Sequence, residues 1–343
     1  MAKNTAVFRA ASIALTLLFA LIGCDSRSET TGGTGSTPTS GPSAEGGGSG
    51  SGKKITVGFA QVGAESAWRT ANSKSIQDEA AKRGITLKFS DARQKQEEQI
   101  KAVRSFIAQK VDVIVLAPVV TTGFEPVLKE AKAAGIPVIL SDRRAAVSDE
   151  SLYQTFIGSD FIEEGRRAGE WLAKKTNGKA VIAELQGTPG SDPAIERKKG
   201  FQEVLDKNAG MKIVMSQTGD FTRAKGKEVM EAFLKSPDGA KINALYAHND
   251  DMALGAIQAI EEAGKKPGTD IIVVSIDGVH DAFQAMVDGK LNCTVECNPL
   301  IGPQIFDAVE KVVKGETLPK RTKVEEGVFD QSQAAAELPN RKY

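Results

Sequence analysis

Histidine, cysteine and tryptophan are scarce in this chain of 343 residues, which holds two, three and two of them. His248 and His280 are the only imidazoles, and no H-E-x-x-H, G-x-S-x-G or Walker lysine motif occurs. Zinc hydrolysis, serine hydrolysis and P-loop nucleotide chemistry therefore have no sequence support, and neither a metal nor a cofactor is expected. Gln186–Gly187–Thr188–Pro189–Gly190–Ser191 follows a strand and could cradle an anion at a helix start, but it lacks the Gly–Lys–Ser/Thr of a nucleotide loop. Cys293 and Cys297 are the only thiols beyond Cys24. On one face of a continuous strand they would stand about 13 Å apart, too far for a disulfide, and they read as two small buried residues. Net charge is also lacking. Lys+Arg and Asp+Glu both number 44, so no overall field draws in nucleic acid or an anionic membrane.

Long hydrophobic runs are absent too. The longest, Ala10 to Gly23, is broken by Ser12 and Thr16 and is short for a bilayer span. It follows the positive charges of Lys3 and Arg9 and ends at Leu21–Ile22–Gly23–Cys24, which resembles the bacterial lipobox. The resemblance implies a signal peptide over 1–23 and a lipidated Cys24; an uncleaved anchor or a non-lipidated secretory peptide is the plainer alternative. Residues 24–53 are dominated by Gly, Ser and Thr, a composition that cannot bury a core and reads as a tether. As a flexible coil it would span roughly 30 Å.

From Lys54 onward, short apolar runs alternate with helical periodicity. Strands are expected at 55–60, 85–90, 111–117, 136–141, 154–158, 180–185, 212–217, 243–247, 271–276 and 291–296. Ile100, Val103, Phe106 and Ile107 mark one helix between them, and Leu254, Ile257 and Ile260 another; Gly84 and Gly264 are placed to stop helices. This is an α/β pattern with parallel sheets covered on both faces. Ten strands suit two lobes of about five better than one sheet. The first crossing is expected at Phe156–Asp160, with Asp160 as a helix cap, and a return near Glu296–Cys297 would lead into a helix beginning near Pro299.

Several strands end in polar residues, and ligands of open α/β sheets bind beyond such carboxyl ends. Ile55–Ala60 leads to Gln61, Glu65, Ser66, Trp68 and Arg69; Val138–Leu140 to Ser141, Asp142 and Arg143; Ala244–Tyr246 to His248, Asn249 and Asp250; Ile271–Val274 to Asp277. Carboxylates, guanidiniums and an amide can each give or take hydrogen bonds from vicinal hydroxyls. An indole can stack on the C–H face of a sugar ring, although Trp68 is equally explained by core packing. Trp171 lies in a helical pattern and reads as core. Asp250, directly before a helix, reads as its cap, which leaves Asn249 as the ligand candidate.

Longer stretches carry a family resemblance: Val57 through Arg69, Gln99 through Phe106, Glu125 through Ala131, Gly219–Asp220–Phe221–Thr222–Arg223, Tyr246 through Met252, and Ser275–Ile276–Asp277–Gly278–Val279. In these the chain resembles the pentose/hexose (ribose/galactose-type) periplasmic binding proteins of ABC importers, over nearly everything from Ile55 to the C-terminus. The resemblance implies a type I periplasmic binding protein: two Rossmann-like lobes on a three-segment hinge. The first lobe would take 54–158 plus 297–324, the second 159–296 plus 325–343. Carried over by position, the sugar contacts are Ser66, Trp68, Arg69, Asp142, Arg143, Arg197, Asn249, Asp277 and Glu296.

The function so implied is capture of a monosaccharide, galactofuranose-like or a related pentose or hexose, by hinge closure, with delivery to a membrane permease. The expected setting is the periplasmic side of the cell envelope, as a monomer held to the membrane through Cys24, with no nucleic-acid partner. A sugar sensor for a chemotaxis or kinase receptor fits the same features. A glycosidase using Asp142 and Asp277 is the enzymatic rival. A transcription regulator of the same fold is opposed by the export signal and the lack of a DNA-reading helix pair.

Overall fold

The computed structural model describes residues 54–343. The expected signal peptide, Cys24 and the tether lie outside the described residues. Among the described residues no helix is long and apolar enough to cross a membrane.

The first lobe runs β1 (Thr56–Gln61), α1 (Ala67–Lys82), β2 (Thr86–Asp91), α2 (Gln96–Ala108), β3 (Val113–Leu116), α3 (Glu125–Ala133), β4 (Val138–Ser141) and β5 (Thr155–Gly158). The second continues with α4 (Phe161–Lys175), β6 (Lys179–Gln186), α5 (Asp192–Leu205), β7 (Gly210–Thr218), α6 (Arg223–Lys235), β8 (Ala244–Ala247), α7 (Asp250–Glu262), β9 (Ile272–Asp277), α8 (His280–Val287) and β10 (Cys293–Glu296). The chain then returns through α9 (Gly302–Val313) and β11 (Arg321–Lys323), and crosses again to β12 (Val328–Asp330) and α10 (Gln331–Glu337).

All ten expected strands form. The sheets nevertheless hold six strands each, ordered β11-β5-β4-β3-β1-β2 and β12-β10-β9-β8-β6-β7. The extra strands, β11 and β12, are three residues long and carry no readable alternation. The first sheet is wholly parallel, whereas β12 runs antiparallel to β10. Both sheets reverse strand order beside their first strand, between β1 and β3 and between β6 and β8, the switch points where α/β folds take ligands. Central strands such as β3 and β8 are buried along their whole length, as parallel sheets covered on both faces require. The first-lobe sheet has a core on each face, one around Phe106, Leu128 and Leu140 and one around Phe59, Ile139 and Phe306. Trp171 packs half-buried against the second-lobe core.

Local chemistry sets the ends of the elements. Gly84 and Gly264 stop their helices at φ of 66° and 74°. Ser66, Asp160 and Thr222 cap α1, α4 and α6 by accepting backbone N–H groups. The helix expected near Pro299 starts at Gly302, whose N–H donates to Ser75 Oγ of α1 at 3.0 Å.

Three segments join the lobes, at Ser159, at Cys297–Pro299 and at 324–327, and they bond to one another. Glu326 Oε1 accepts from Ser159 Oγ and from Asn298 N–H at 2.9 Å. Glu296 N–H donates to Gly327 O at 2.9 Å, and Gly327 N–H returns a bond to Glu296 Oε2 at 3.0 Å.

Candidate ligand-binding site

A small cavity lies between the lobes, lined by Glu65, Ser66, Trp68, Arg69, Asp142, Arg143, Phe161, Pro193, Arg197, Phe221, Asn249, Asp277 and Cys297.

The first-lobe wall is a chain of ion pairs. Arg69 Nη2 donates to Asp142 Oδ2 at 2.6 Å and its Nε to Glu65 Oε1 at 3.2 Å, while Nη1 reaches Gln61 Oε1 at 3.2 Å. Arg143 stands 3.7 Å from Glu65 Oε1 and 3.6 Å from Asp142 Oδ2, and its Nη1 donates to Val119 O at 3.1 Å. Glu65 Oε2 and Arg143 Nε are buried with no hydrogen-bond partner among the described residues. Burial opposes the charge on Arg69, but Asp142 and Glu65 outweigh it and raise the guanidinium above its ordinary value. Burial and the neighbouring Arg69 push Arg143 down to about 10, so both remain cations at neutral pH.

The second-lobe wall is organised around Arg197 on α5. Its Nε donates to Glu164 Oε2 at 2.7 Å, its Nη1 to His248 O at 2.6 Å and its Nη2 to Asp277 Oδ1 at 3.5 Å. Burial raises the Asp277 carboxyl well above the usual range, with Arg197 opposing. Behind this wall His248 Nδ1 accepts from Gly187 N–H at 3.4 Å and Nε2 meets Glu184 at 3.2 Å. Burial lowers the His248 pKa, so the imidazole is neutral and Nε2–H is the donor to Glu184.

Asp142 and Asp277 sit at strand ends with φ of 63° and 133°. Non-glycine residues rarely hold such backbone, and it concentrates at binding sites. Asp250 holds the second loop. Its Oδ2 accepts from Gly278 N–H at 2.7 Å and Val279 N–H at 2.9 Å, and its Oδ1 from Thr294 Oγ1 at 2.9 Å and from Ser275 Oγ.

Trp68 is buried at the edge of the cavity. Its Nε1–H donates to Cys297 O on the hinge at 2.6 Å, while its ring lines the cavity with the Arg69 guanidinium 4.6 Å from the ring centroid. Phe161 and Phe221 complete the aromatic surface.

Eight of the nine expected contacts therefore line one cavity. Glu296 does not. It accepts from Arg341 Nη1 at 2.7 Å, from Tyr343 Oη at 3.3 Å and from Gly327 N–H, so the hinge and the C-terminal segment engage it. The cap of α7 is Asn249, whose side chain accepts from Met252 N–H at 3.0 Å, and not Asp250. Asn249 nevertheless lines the cavity, with its Nδ2 bonded to Phe221 O at 3.1 Å. Sequence reading left out Phe161, Pro193, Phe221 and Cys297, and it named Glu65 among the polar strand tips but not among the expected contacts. Glu65 and Phe221 lie inside stretches already singled out, next to Ser66 and Asp220. Only the folded chain buries them.

Around the cavity the arginines 69, 143 and 197 face the carboxylates Glu65, Asp142 and Asp277, with Glu164 behind. Closely spaced donors and acceptors between aromatic faces suit a small neutral polyhydroxylated ring.

A periplasmic binding protein domain model matches residues 57–317. Over 291 residues the chain is 55% identical to the galactofuranose-binding protein YtfQ of Escherichia coli, covering 84% of this chain and 92% of the relative. Among solved structures, the periplasmic component of the arabinose ABC transporter from Shewanella sp. ANA-3, bound to α- and β-L-arabinofuranose, superposes with a TM-score of 0.82 at 57% identity; it covers 84% of this chain and 96% of that one. A Mycobacterium smegmatis protein in complex with β-D-fucofuranose gives a TM-score of 0.82 at 58% identity, over 84% and 95% of the two chains. With the two-lobed fold and the interlobe cavity, these matches establish that the chain belongs to the periplasmic binding protein family.

Proposed function

We propose that this protein is the substrate-binding component of an ABC sugar importer, and that it takes a monosaccharide in its furanose form. The carrying observation is the interlobe cavity ringed by arginines and carboxyl groups, with Glu65 Oε2 and Arg143 Nε left without a hydrogen-bond partner among the described residues, one an acceptor and the other a donor. A ring bearing vicinal hydroxyls supplies both a donor to the carboxylate and an acceptor for the guanidinium. The furanose reading draws support from relatives named for galactofuranose, L-arabinofuranose and β-D-fucofuranose. The contacts are Ser66, Trp68, Arg69, Asp142, Arg143, Arg197, Asn249 and Asp277, now joined by Glu65 and Phe221.

In this reading the sugar meets the first-lobe wall, and rotation about the hinge brings Arg197 and Asp277 onto its other face. The sugar favours closure only through contacts that the closed form adds. In this reading it leaves unaltered: Asp142 is paired with Arg69 at 2.6 Å, and Cys297, raised by burial, is a thiol and no nucleophile. Lipidation at Cys24 would hold the monomer at the membrane, and the 24–53 tether would let the closed form reach its permease.

Calorimetry with D-galactose, L-arabinose, D-ribose and D-glucose, each at tautomeric equilibrium, tests the reading. The sugars with appreciable furanose content are expected to bind, and Asp142→Asn should weaken them at least about tenfold, the equivalent of one charge-assisted hydrogen bond. Preference for D-glucose, or unchanged affinity in the variant, would overturn it. Turnover of a chromogenic furanoside would favour the glycosidase.

A further inference from the structure

The lobes are also tied to each other by groups that do not line the cavity. Arg144, the residue after Arg143 in the first lobe, reaches across to Asp192 at the start of α5. Its backbone N–H donates to Asp192 Oδ2 at 2.9 Å, its Nε to the same oxygen at 3.1 Å and its Nη2 to Oδ1 at 3.0 Å. Glu196, one turn further along α5, also pairs with Nη2. The Asp192 side chain is 5% exposed and the Arg144 side chain 37%, so one partner is desolvated and the other still meets water. Beside them Thr121 N–H of the first lobe donates to Gly190 O of the second at 2.9 Å.

A second tie involves α1 and α7. Ala67 is the first residue of α1, and its N–H has no partner within that helix. Asp251 Oδ2, from the second lobe, accepts it at 2.7 Å, while Arg223 Nε holds Asp251 Oδ1 at 3.1 Å. Thus Asp192 and Asp251, two buried second-lobe carboxylates, each accept a first-lobe backbone N–H. None of these residues lies on the three hinge segments, so parting the lobes would break every one of these bonds.

We propose that Arg144 and Asp192 form an interlobe latch that sets how tightly and how long the sugar is held without touching it. The latch rests on the reading above as a closing sugar receptor. A contact made only in the closed arrangement stabilises that arrangement whatever occupies the cavity. It therefore raises affinity by raising the population competent to hold ligand. The effect falls on dissociation, because the latch must break before the closed lobes can part and release the sugar. Because Arg144 is partly solvated, the contribution weakens with ionic strength.

The test is a double-mutant cycle on the full chain with Arg144→Gln, Asp192→Asn and both together, read by calorimetry and stopped-flow tryptophan fluorescence with L-arabinose and D-galactose. Each single change is expected to weaken binding about tenfold through faster release, the double change no more than either. The salt dependence of the wild-type affinity should flatten in all three. Wild-type affinity in the variants, or losses that multiply to about a hundredfold, would overturn the latch. If neither sugar binds the wild type, it is the furanose reading that fails. The latch is then read from spin labels at Lys129→Cys and Lys235→Cys in the sugar-free protein. Arg144→Gln should shift that interlobe distance distribution to longer values, and an unmoved distribution would overturn it.

Discussion

Glu65 lies in the loop after β1 and Glu296 is the last residue of β10, and their neighbours separate them. Glu65 shares its Oε1 with Arg69 at 3.2 Å and keeps Oε2 buried and unpartnered at the cavity. Glu296 spends both oxygens on Gly327, Arg341 and Tyr343. Glu296→Gln should therefore leave sugar affinity within about twofold and lower stability by about 1–3 kcal/mol, the cost of weakening a partly buried ion pair. Calorimetry and urea denaturation on the same variant check the two halves separately. Asp250 and Asn249 divide labour in the same way: the asparagine, one residue earlier, caps α7, and the aspartate secures the loop that carries Asp277. A sequence marks both as cap-competent. Which one takes the cap depends on where the β9 loop lies.

At the scale of elements, the second-lobe wall depends on how closely α4 and α5 approach. A Cβ on Gly200 would stand 1.9 Å from Ile162 O, and one on Gly165 would stand 2.1 Å from Arg197 O. The two glycines lie on facing helices and let the backbones meet, which brings Arg197 within 2.7 Å of Glu164. The α6–α7 pair uses the same device, with a Gly255 Cβ falling 2.0 Å from Arg223 O. Gly200→Ala should push α5 away from α4. The expected outcome is a loss of about 1–3 kcal/mol from overpacking, accompanied by weaker sugar binding as Arg197 shifts. Thermal unfolding and calorimetry measure the two effects. Sugar affinity at the wild-type value in a folded Gly200→Ala protein would show that helix spacing does not position Arg197.

For the molecule as a whole, the hinge concentrates titratable groups. Glu164 on α4, Cys297 on the second crossing and Glu326 on the third bring their ligand atoms within 4.8 Å of one another. Arg197 faces them from α5, and Arg167 Nη1 donates to Glu326 O at 2.8 Å. Burial, then the charge of Glu164, raises the Glu326 carboxyl from 4.5 to about 9. Between those values the folded protein holds a proton that the unfolded chain has lost. Stability therefore falls as pH rises through that window. Asp250, raised by burial to about 6, acts in the same direction over its own narrower range. Melting temperature recorded from pH 5 to pH 9 should decline, and Glu326→Gln should flatten the decline. A rise with pH, or an unchanged slope in the variant, would contradict this assignment.

What the sequence by itself determined is what local periodicity and terminal chemistry carry. The ten long strands, the helix stops at Gly84 and Gly264, the Asp160 cap and the polar tips of the strands all follow from side chains acting within a few residues of one another. Arg197 was not legible in this way; it stands mid-helix and entered only through the family resemblance. Tertiary structure alone decided the rest. The strands β11 and β12 exist because neighbouring sheet edges supply their hydrogen bonds, and three residues are too few to show a pattern. Glu65, Glu164 and Phe221 become site residues by burial, and Glu296 is withdrawn by a C-terminal arginine 45 residues away. Such roles belong to pairs that meet only when the chain folds, since the free energy of a buried charge or hydrogen bond is set by the partner it finds and not by its neighbours in sequence.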